Sequence, residues 1–132
     1  MSVKLEVLAR VPLFEGLAAA ELESVAARTR EVRVDAGTEV IRQGDPGSEF
    51  YVITEGALDI RIDGRAVNVL KPGSFFGELA LLFGAPRNAT AVALEPTSLL
   101  VMDKDDFTAL LAEQPAVEDK VLAVVAQRMR YR

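Results

Sequence analysis

Residues 73–93 read GSFFGELALLFGAPRNATAVA, a short helical pattern inside a chain otherwise rich in strand patterns. The segment 78–82, Glu-Leu-Ala-Leu-Leu, favours helix and lies between Gly77 and Gly84. A helix this short is unstable alone in water, so tertiary contacts or a ligand must hold it. Its first turn leaves main-chain N–H groups unpaired, and Gly77 lets a ligand approach the backbone closely. The stretch therefore predicts an anion site.

Two charged residues extend this prediction. Arg87 follows Gly77 by ten residues and comes directly after Pro86. Its planar guanidinium can donate paired hydrogen bonds to phosphate oxygens, whereas the Glu78 carboxylate can accept hydrogen bonds from sugar hydroxyls. Taken singly, Glu78 is typical of a first helical turn and Arg87 of a surface ion pair. Together with Gly77 they predict a pocket for a phosphorylated sugar.

Residues 76–82, followed after three residues by Pro-Arg-Asn-Ala-Thr at 86–90, resemble the phosphate-binding cassette of cyclic nucleotide-binding domains. That family includes the regulatory subunits of cAMP-dependent protein kinase, the catabolite activator protein and cyclic-nucleotide-gated channels. The resemblance runs from about Pro12 to about Arg128. It implies a regulatory domain that binds cAMP, or cGMP as the second choice, needs no cofactor and is not an enzyme.

The resemblance also implies roles for individual residues. Arg87 would neutralise the cyclic phosphate and Glu78 would accept the ribose 2′-hydroxyl. Main-chain N–H groups of Ala80 and Ala89 would complete the phosphate cradle. Leu79 would move when phosphate arrives, unless it is simply a core leucine. The predicted ligand-binding set is Phe76, Gly77, Glu78, Leu79, Ala80, Arg87, Asn88 and Ala89.

Asn88 departs from the commonest family pattern, which has Ala, Ser or Thr directly after the arginine. Within the family a hydroxyl at this position often goes with guanine and alanine with adenine. An amide can both donate and accept hydrogen bonds, so Asn88 leaves the nucleotide preference open. The choice of cAMP over cGMP is based on how common cAMP is among bacterial domains of this kind.

Composition narrows the function classes. The chain of 132 residues supports one domain, and it contains neither cysteine nor histidine. Disulfides, zinc sites built on these residues, Ser-His-Asp triads and Cys-His pairs are therefore excluded. The net charge of −5 argues against sequence-independent binding of nucleic acid. The lack of cysteine and histidine ligands also leads us to expect no metal. Since no apolar run reaches membrane length, we expect a cytoplasmic protein or a cytosolic domain of a larger one, with no membrane insertion.

The strand patterns predict an antiparallel β jelly roll (double-stranded β-helix) with flanking helices. From Glu31 onward apolar residues recur with period two, and Asp63-Gly64 is a hairpin pair between two such runs. Few helical patterns interrupt the strands, which favours a barrel or jelly roll. We expect one domain over residues 1–132: an N-terminal helical element at 1–30, a β-roll at 31–103 with the cassette at 75–90, and C-terminal helices at 104–132.

Helical patterns flank the strands on both sides. Apolar residues at helical spacing predict a first helix that ends at Pro12 and a second over residues 18–29. Asp103 or Asp105 is predicted to cap the next helix, and Pro115 to begin the last one.

The last helix is predicted to bury one broad apolar face, made of Val117, Val121, Leu122, Val124, Val125 and Met129. Its solvent side would carry Glu118, Asp119, Lys120, Gln127 and Arg128. The resemblance adds a candidate lid over the base, with stacking or covering by Val125, Arg128, Met129 and Tyr131 and cation–π contact by Arg128 or Arg130. The alternative is an amphipathic helix that only packs on the barrel.

Two other function classes remain open from the sequence. The chain could be the effector domain of a transcription regulator, but no DNA-reading motif follows the last helix. It could also be a nucleotide-independent interaction or dimerisation domain, although Gly77, Glu78 and Arg87 are all present. We expect a cyclic nucleotide as ligand, no nucleic acid through this chain, and a fused or partner effector domain.

Overall fold

The computed structural model describes residues 3–129, with side chains from Leu5 onward. Its helices are α1 Val3–Ala9, α2 Ala19–Ala27, α3 Glu78–Phe83, α4 Lys104–Glu113 and α5 Pro115–Arg128, with a 3₁₀ turn at Pro12–Phe14. Its strands are β1 Thr29–Val34, β2 Glu39–Ile41, β3 Glu49–Glu55, β4 Leu58–Ile62, β5 Arg65–Leu70, β6 Phe75–Phe76, β7 Thr90–Ala93 and β8 Thr97–Asp103. The predicted mainly β architecture with flanking helices is confirmed.

The strands form two four-stranded antiparallel sheets. One has the order β1-β8-β3-β6 and the other the order β2-β7-β4-β5. An apolar cluster between the sheets includes Ile53, Leu58, Ala91 and Leu99. A second cluster joins the first sheet to the helices. The first sheet is therefore covered on both faces, which explains why its central strands β3 and β8 read as nearly continuous apolar runs.

Strand β3 shows how the two clusters divide one run of residues. Phe50 and Val52 belong to the helix-side cluster, whereas Tyr51 and Ile53 belong to the cluster between the sheets. Successive side chains of a strand point to opposite faces, so this division follows directly from the pleat. Phe50 stacks on Phe107 of α4 with ring centroids 4.5 Å apart. Tyr51 thereby reaches the interior of the barrel, next to the cassette.

The β4–β5 hairpin closes as its sequence predicts. Asp63 and Gly64 both have positive φ, 53° and 79°, as a two-residue hairpin of the I′ type requires. Strand β5 is an edge strand that pairs only with β4 within the described residues, and most of it is exposed. One face of this hairpin is consequently free to line a cavity.

The N-terminal helices agree with the sequence in type but are shorter than predicted. The first helix ends at Ala9, and Pro12 opens the 3₁₀ turn instead of merely stopping a helix. The second ends at Ala27, because Thr29 already belongs to β1. Pro115 begins α5, as predicted.

Three details of the C-terminal helices correct the sequence interpretation. Asp103 occupies the N-cap of α4, but its side chain makes no cap hydrogen bond and pairs with Arg30 at 3.5 Å. Leu122 and Met129 were expected in the buried face of α5 and are about half exposed. Lys120 and Arg128 were expected in solvent. Lys120 instead donates a hydrogen bond to the carbonyl of Pro12, and Arg128 reaches the cassette. Long side chains can reach over neighbouring elements, so the helical face alone does not determine where their charged ends lie.

Candidate functional site

A cavity of about 180 Å³ lies between the second sheet, the cassette and the end of α5. Its lining includes the eight residues of the predicted ligand-binding set, Phe76, Gly77, Glu78, Leu79, Ala80, Arg87, Asn88 and Ala89. An apolar wall completes it with Ile41, Ile60, Ile62, Val67 and Leu70, and polar groups come from Asn68 and Arg128. An apolar pocket with a few convergent polar groups is the usual form of a small-molecule site.

Arg87 is held at one end of this cavity by main-chain oxygens. Its Nη1 donates to the Gly77 carbonyl at 3.0 Å and its Nη2 to the Glu49 carbonyl at 2.9 Å. The guanidinium also lies over the Tyr51 ring, with Cζ 5.8 Å from the centroid. Arg87 is only 6% exposed. It makes no ion pair with any side chain described, so its remaining N–H groups are available to an anion.

Two glycines make room for this arginine. Gly77 has φ +92°, and a Cβ there would lie 2.8 Å from the Glu49 oxygen and 2.9 Å from Nη1 of Arg87. Gly47 has ordinary φ, yet its Cβ would lie 2.3 Å from Nε and 2.4 Å from Cζ of Arg87. The sequence identified Gly77 as a close-approach position but gave no such indication for Gly47. Gly47 lies far from Arg87 in the chain, and no local pattern could have revealed the contact.

Glu78 lines the same cavity and is 1% exposed. As the first residue of α3 it benefits from the helix dipole, but its direct partner is Arg128 at the end of α5. Arg128 Nη1 donates to Glu78 Oε1, its Nη2 donates to the Phe75 carbonyl, and its Cζ lies 5.3 Å from the centre of the Phe75 ring. The C-terminal turn of α5 is therefore fastened directly to the cassette.

Burial shapes the titration of the groups around Arg87. Desolvation lowers the pKa of the Arg87 guanidinium, which nevertheless stays charged at neutral pH. Burial first, and then the neighbouring Glu49 carboxylate, raises the pKa of Tyr51 to about 12. Burial alone would raise the pKa of Glu49, but hydrogen bonds from Arg30 and Tyr51 outweigh it and hold that pKa below its ordinary value. The site thus contains a neutral phenol, an ionised carboxylate and a buried cation.

The candidate lid residues fall in different places. Arg128 lines the cavity, whereas Val125 is buried in the helix-side cluster and Met129 is about half exposed and does not line the cavity. Tyr131 and Arg130 lie outside the described residues. The assignment of Val125, Met129 and Tyr131 to a lid stays a prediction. Leu79 is buried in the helix-side cluster, where both its core role and its predicted movement remain compatible with its place.

The arrangement suits binding better than bond making. One buried cation, one buried carboxylate and an apolar wall can orient a ligand that has an anionic end, hydroxyls and a flat apolar part. Within the described residues no group of acidic side chains is arranged to hold a metal ion. No helix between Val3 and Met129 is long and apolar enough to cross a membrane.

Comparisons with known proteins agree with this geometry. The family model for the cyclic nucleotide-binding domain matches residues 31–114. The cAMP-dependent protein kinase regulatory subunit of Yarrowia lipolytica is 42% identical over 101 residues, 76% of this chain and 27% of that protein. The Cyclic AMP receptor protein of Thermus thermophilus is 34% identical over 124 residues, 90% of this chain and 57% of that protein.

A solved structure of cAMP-bound PfPKA-R (141-441) has a TM-score of 0.88 at 25% identity and covers 96% of this chain and 44% of that chain. The chain thus spans only part of each of these longer relatives. The predicted jelly roll is confirmed by this likeness, which covers nearly the whole chain. From the match of the family model and from these relatives, this chain belongs to the cyclic nucleotide-binding domain family.

Proposed function

We propose that this domain binds a cyclic mononucleotide, with cAMP preferred over cGMP, and passes the binding event to its C-terminal helices without performing chemistry on the ligand. One observation supports this most directly. Arg87 is a buried cation whose hydrogen bonds go to two main-chain oxygens and which makes no direct ion pair with a described side chain, and it lines a cavity that Glu78 also lines. A buried cation is costly without an anionic partner, so the site favours a ligand that supplies one.

The cyclic phosphate would lie against Arg87, completed by the main-chain N–H groups of Ala80 and Ala89. The ribose hydroxyl would bind Glu78. The base would lie along the apolar wall of the β4–β5 hairpin, next to Asn88. The preference for cAMP takes support from the relatives, since the matched structure of PfPKA-R holds cAMP. Asn88 itself can serve either base.

Coupling to the helices would pass through Glu78. A carboxylate has two oxygens, and Arg128 binds Oε1. A ribose hydroxyl on the other oxygen would let the ligand and Arg128 share the carboxylate, so that ligand binding favours the docked position of α5. Phosphate contact would also shift Leu79. The free energy available for this shift is the difference in ligand affinity between the docked and undocked states.

The domain would act on an effector. Its curated relatives carry the matched stretch inside longer proteins, and we expect a fused or partner effector here too. The net charge of −5 makes nucleic acid a poor partner for this part of the chain. We place the domain in the cytoplasm, where its nucleotide ligand would be available.

Arg87→Ala tests the proposed function. Each charge-assisted hydrogen bond to phosphate contributes about 1.5–3 kcal/mol, so loss of the guanidinium should weaken cAMP binding by at least about tenfold. The fold should persist, because Arg87 leaves a cavity that water can fill. Calorimetric titration with cAMP and cGMP measures the affinity, and the thermal midpoint without ligand reports the fold.

Arg65→Ala is the matched control, since Arg65 is an exposed arginine at the start of β5 that does not line the cavity. It should bind both nucleotides as the wild type does. If wild type and Arg87→Ala bind cAMP with equal affinity, Arg87 does not bind the phosphate. A wild type that binds neither nucleotide at millimolar concentration would overturn the proposed function itself.

A further inference from the structure

Arg87 lines a second cavity on its other side. This cavity, of about 400 Å³, is more polar than the first and has Glu49, Tyr51, Arg42 and Asp45 in its lining. A guanidinium between two cavities is subject to the charges in both. What surrounds Arg87 on the second side should therefore influence how it binds an anion on the first side.

Glu49 is the acidic residue most closely linked to Arg87. Its main-chain oxygen accepts from Arg87 Nη2 at 2.9 Å, and its carboxylate accepts from the Tyr51 hydroxyl at 3.0 Å. Tyr51 in turn places its ring under the guanidinium. The Glu49 side chain is 29% exposed, so water screens its charge only in part. Its lowered pKa keeps it ionised at neutral pH.

Arg30 neutralises this carboxylate from the outside. It lies on strand β1, does not line the nucleotide cavity, and forms ion pairs with Glu49 and with Asp103. Two guanidinium groups thus interact with one carboxylate, Arg30 by direct contact and Arg87 by electrostatic attraction without contact. Arg30 partly neutralises the negative charge of Glu49. The weaker this negative charge is, the more strongly Arg87 attracts an anion.

We infer that Glu49 is the counter-charge of Arg87 and limits its affinity for the ligand phosphate, and that Arg30 tunes this limit from outside the site. The inference rests on the proposed function. In the ligand-free protein Glu49 stabilises the buried cation. When a phosphate arrives, the same carboxylate repels it. Glu49 and Arg30 are accordingly positioning residues with effects of opposite sign on binding.

The expected effects separate this role from a merely structural one. Glu49→Gln keeps an acceptor for Tyr51 and Arg30 and leaves the main-chain contact to Arg87 intact, but it removes the charge. It should tighten cAMP binding by roughly threefold to tenfold. Arg30→Gln should weaken binding by roughly twofold to fivefold, because Glu49 is then uncompensated. A structural role would weaken binding in both variants.

The double variant tests whether Arg30 acts through Glu49. In the Glu49→Gln background, Arg30→Gln should change cAMP affinity little, since the charge it neutralised is gone. Arg33→Gln and Glu55→Gln provide the matched control. These residues also lie on β1 and β3 and pair at 3.4 Å, but neither lines either cavity. They should leave cAMP affinity unchanged.

Calorimetric titration of these variants and the wild type with cAMP, at low and moderate salt, decides the inference. Weaker or unchanged binding by Glu49→Gln overturns it. A measurement without ligand tests the counter-charge role of Glu49 independently of the proposed function. Glu49→Gln should lower the thermal midpoint more in the wild type than in an Arg87→Met background, where no cation needs the carboxylate. Equal losses in both backgrounds overturn the inference. Failure of the wild type to bind a nucleotide overturns the proposed function and the effect on ligand affinity with it, and the counter-charge role of Glu49 is then decided by the ligand-free measurement alone.

Discussion

The two guanidinium groups that line the nucleotide cavity are held in different ways. Arg87 is 6% exposed and is fixed by two main-chain oxygens, one at the start of β3 and one directly after β6. The Arg128 side chain is 24% exposed, belongs to the last residue of α5, and is fixed by the Glu78 side chain and one carbonyl. One arginine is therefore part of the barrel and the other is part of a helix end.

We call the Arg87 end of the cavity the fixed end, and we expect the Arg128 end to be the movable one. The oxygens that hold Arg87 belong to backbone that cannot shift without disturbing the first sheet, so Arg87 is already positioned at the end proposed to bind phosphate, hereafter the phosphate end, without a ligand. The Arg128 side chain can leave the cassette by breaking one ion pair, one hydrogen bond and its contact with the Phe75 ring. Helix ends open at low cost compared with core strands, which suits a segment that reports ligand binding.

Gly47→Ala should break the fixed end with the largest effect. The new Cβ would collide with Arg87 Nε and Cζ, and since Gly47 has no positive φ the backbone itself is not strained. The guanidinium would have to leave its place, so cAMP affinity should fall by at least about tenfold, as in Arg87→Ala. Calorimetric titration measures the loss.

The double variant Gly47→Ala/Arg87→Ala is the control for this steric effect. With the arginine side chain gone there is nothing for the methyl group to meet, so Gly47→Ala should add no further loss of affinity and little loss of thermal stability. An additional tenfold loss in the double variant would mean that Gly47 matters for the loop itself and not for Arg87. Normal affinity of the single variant would contradict a fixed phosphate end.

Arg128→Met should break the movable end with a smaller effect on affinity, about threefold to tenfold, because the barrel still holds the phosphate. Methionine keeps the apolar stem but leaves Glu78 buried without its partner. The amides of the last turns of α5 should exchange with solvent faster, and cAMP should protect them less than in the wild type. Hydrogen exchange with and without cAMP measures both changes.

Gln127→Met, an exposed neighbour on the same turn, should leave exchange and affinity unchanged. Arg128→Lys keeps the charge without the fork and should lie between wild type and Arg128→Met. If Arg128→Met binds cAMP more tightly than the wild type, the ligand competes with Arg128 for Glu78 instead of sharing it. That result would reverse the proposed direction of coupling while leaving the fixed end untouched.

The sequence predicted the fixed end better than the movable one. The cassette segment, its bounding glycines and the candidate role of Arg87 could be read locally, because a short helix between glycines, followed closely by a Pro-Arg pair, is a distinctive pattern. The strand periods also predicted the sheets, including the hairpin at Asp63 and Gly64. These features depend on residues that are neighbours in the chain, so local pattern sufficed.

Features that join distant segments could not be predicted in the same way. Arg87 and the Glu49 oxygen are 38 positions apart, and Arg128 and Glu78 are 50 apart. Helical spacing placed Arg128 on the solvent side of α5, although the resemblance made it a lid candidate. Its real partner depends on where α5 docks, which is a property of the packed barrel and not of the helix sequence.

Tyr51 offers the smallest and most local test of the fixed end, because its ring lies between Arg87 and the barrel interior. The chain has two tyrosines, so in a Tyr131→Phe background the phenol absorbance reports Tyr51 alone. Its titration midpoint should lie near pH 12, well above the ordinary value of about 10. Arg87→Met should raise this midpoint and Glu49→Gln should lower it, since the cation favours the phenolate and the carboxylate opposes it.

The raised pKa also fixes the sign of the stability change at alkaline pH. The folded protein holds the phenol proton more tightly than the unfolded chain, so this contribution to stability is complete below about pH 10 and is lost as pH rises toward about pH 12. The free energy of unfolding should therefore fall more steeply over that range in the Tyr131→Phe protein than in the Tyr51→Phe/Tyr131→Phe double variant. Parallel curves of unfolding free energy against pH, or a Tyr51 titration midpoint near pH 10, would mean that water reaches Tyr51. Arg87 would then be loosely packed against that ring, and the phosphate end would be no more fixed than the helix end that carries Arg128.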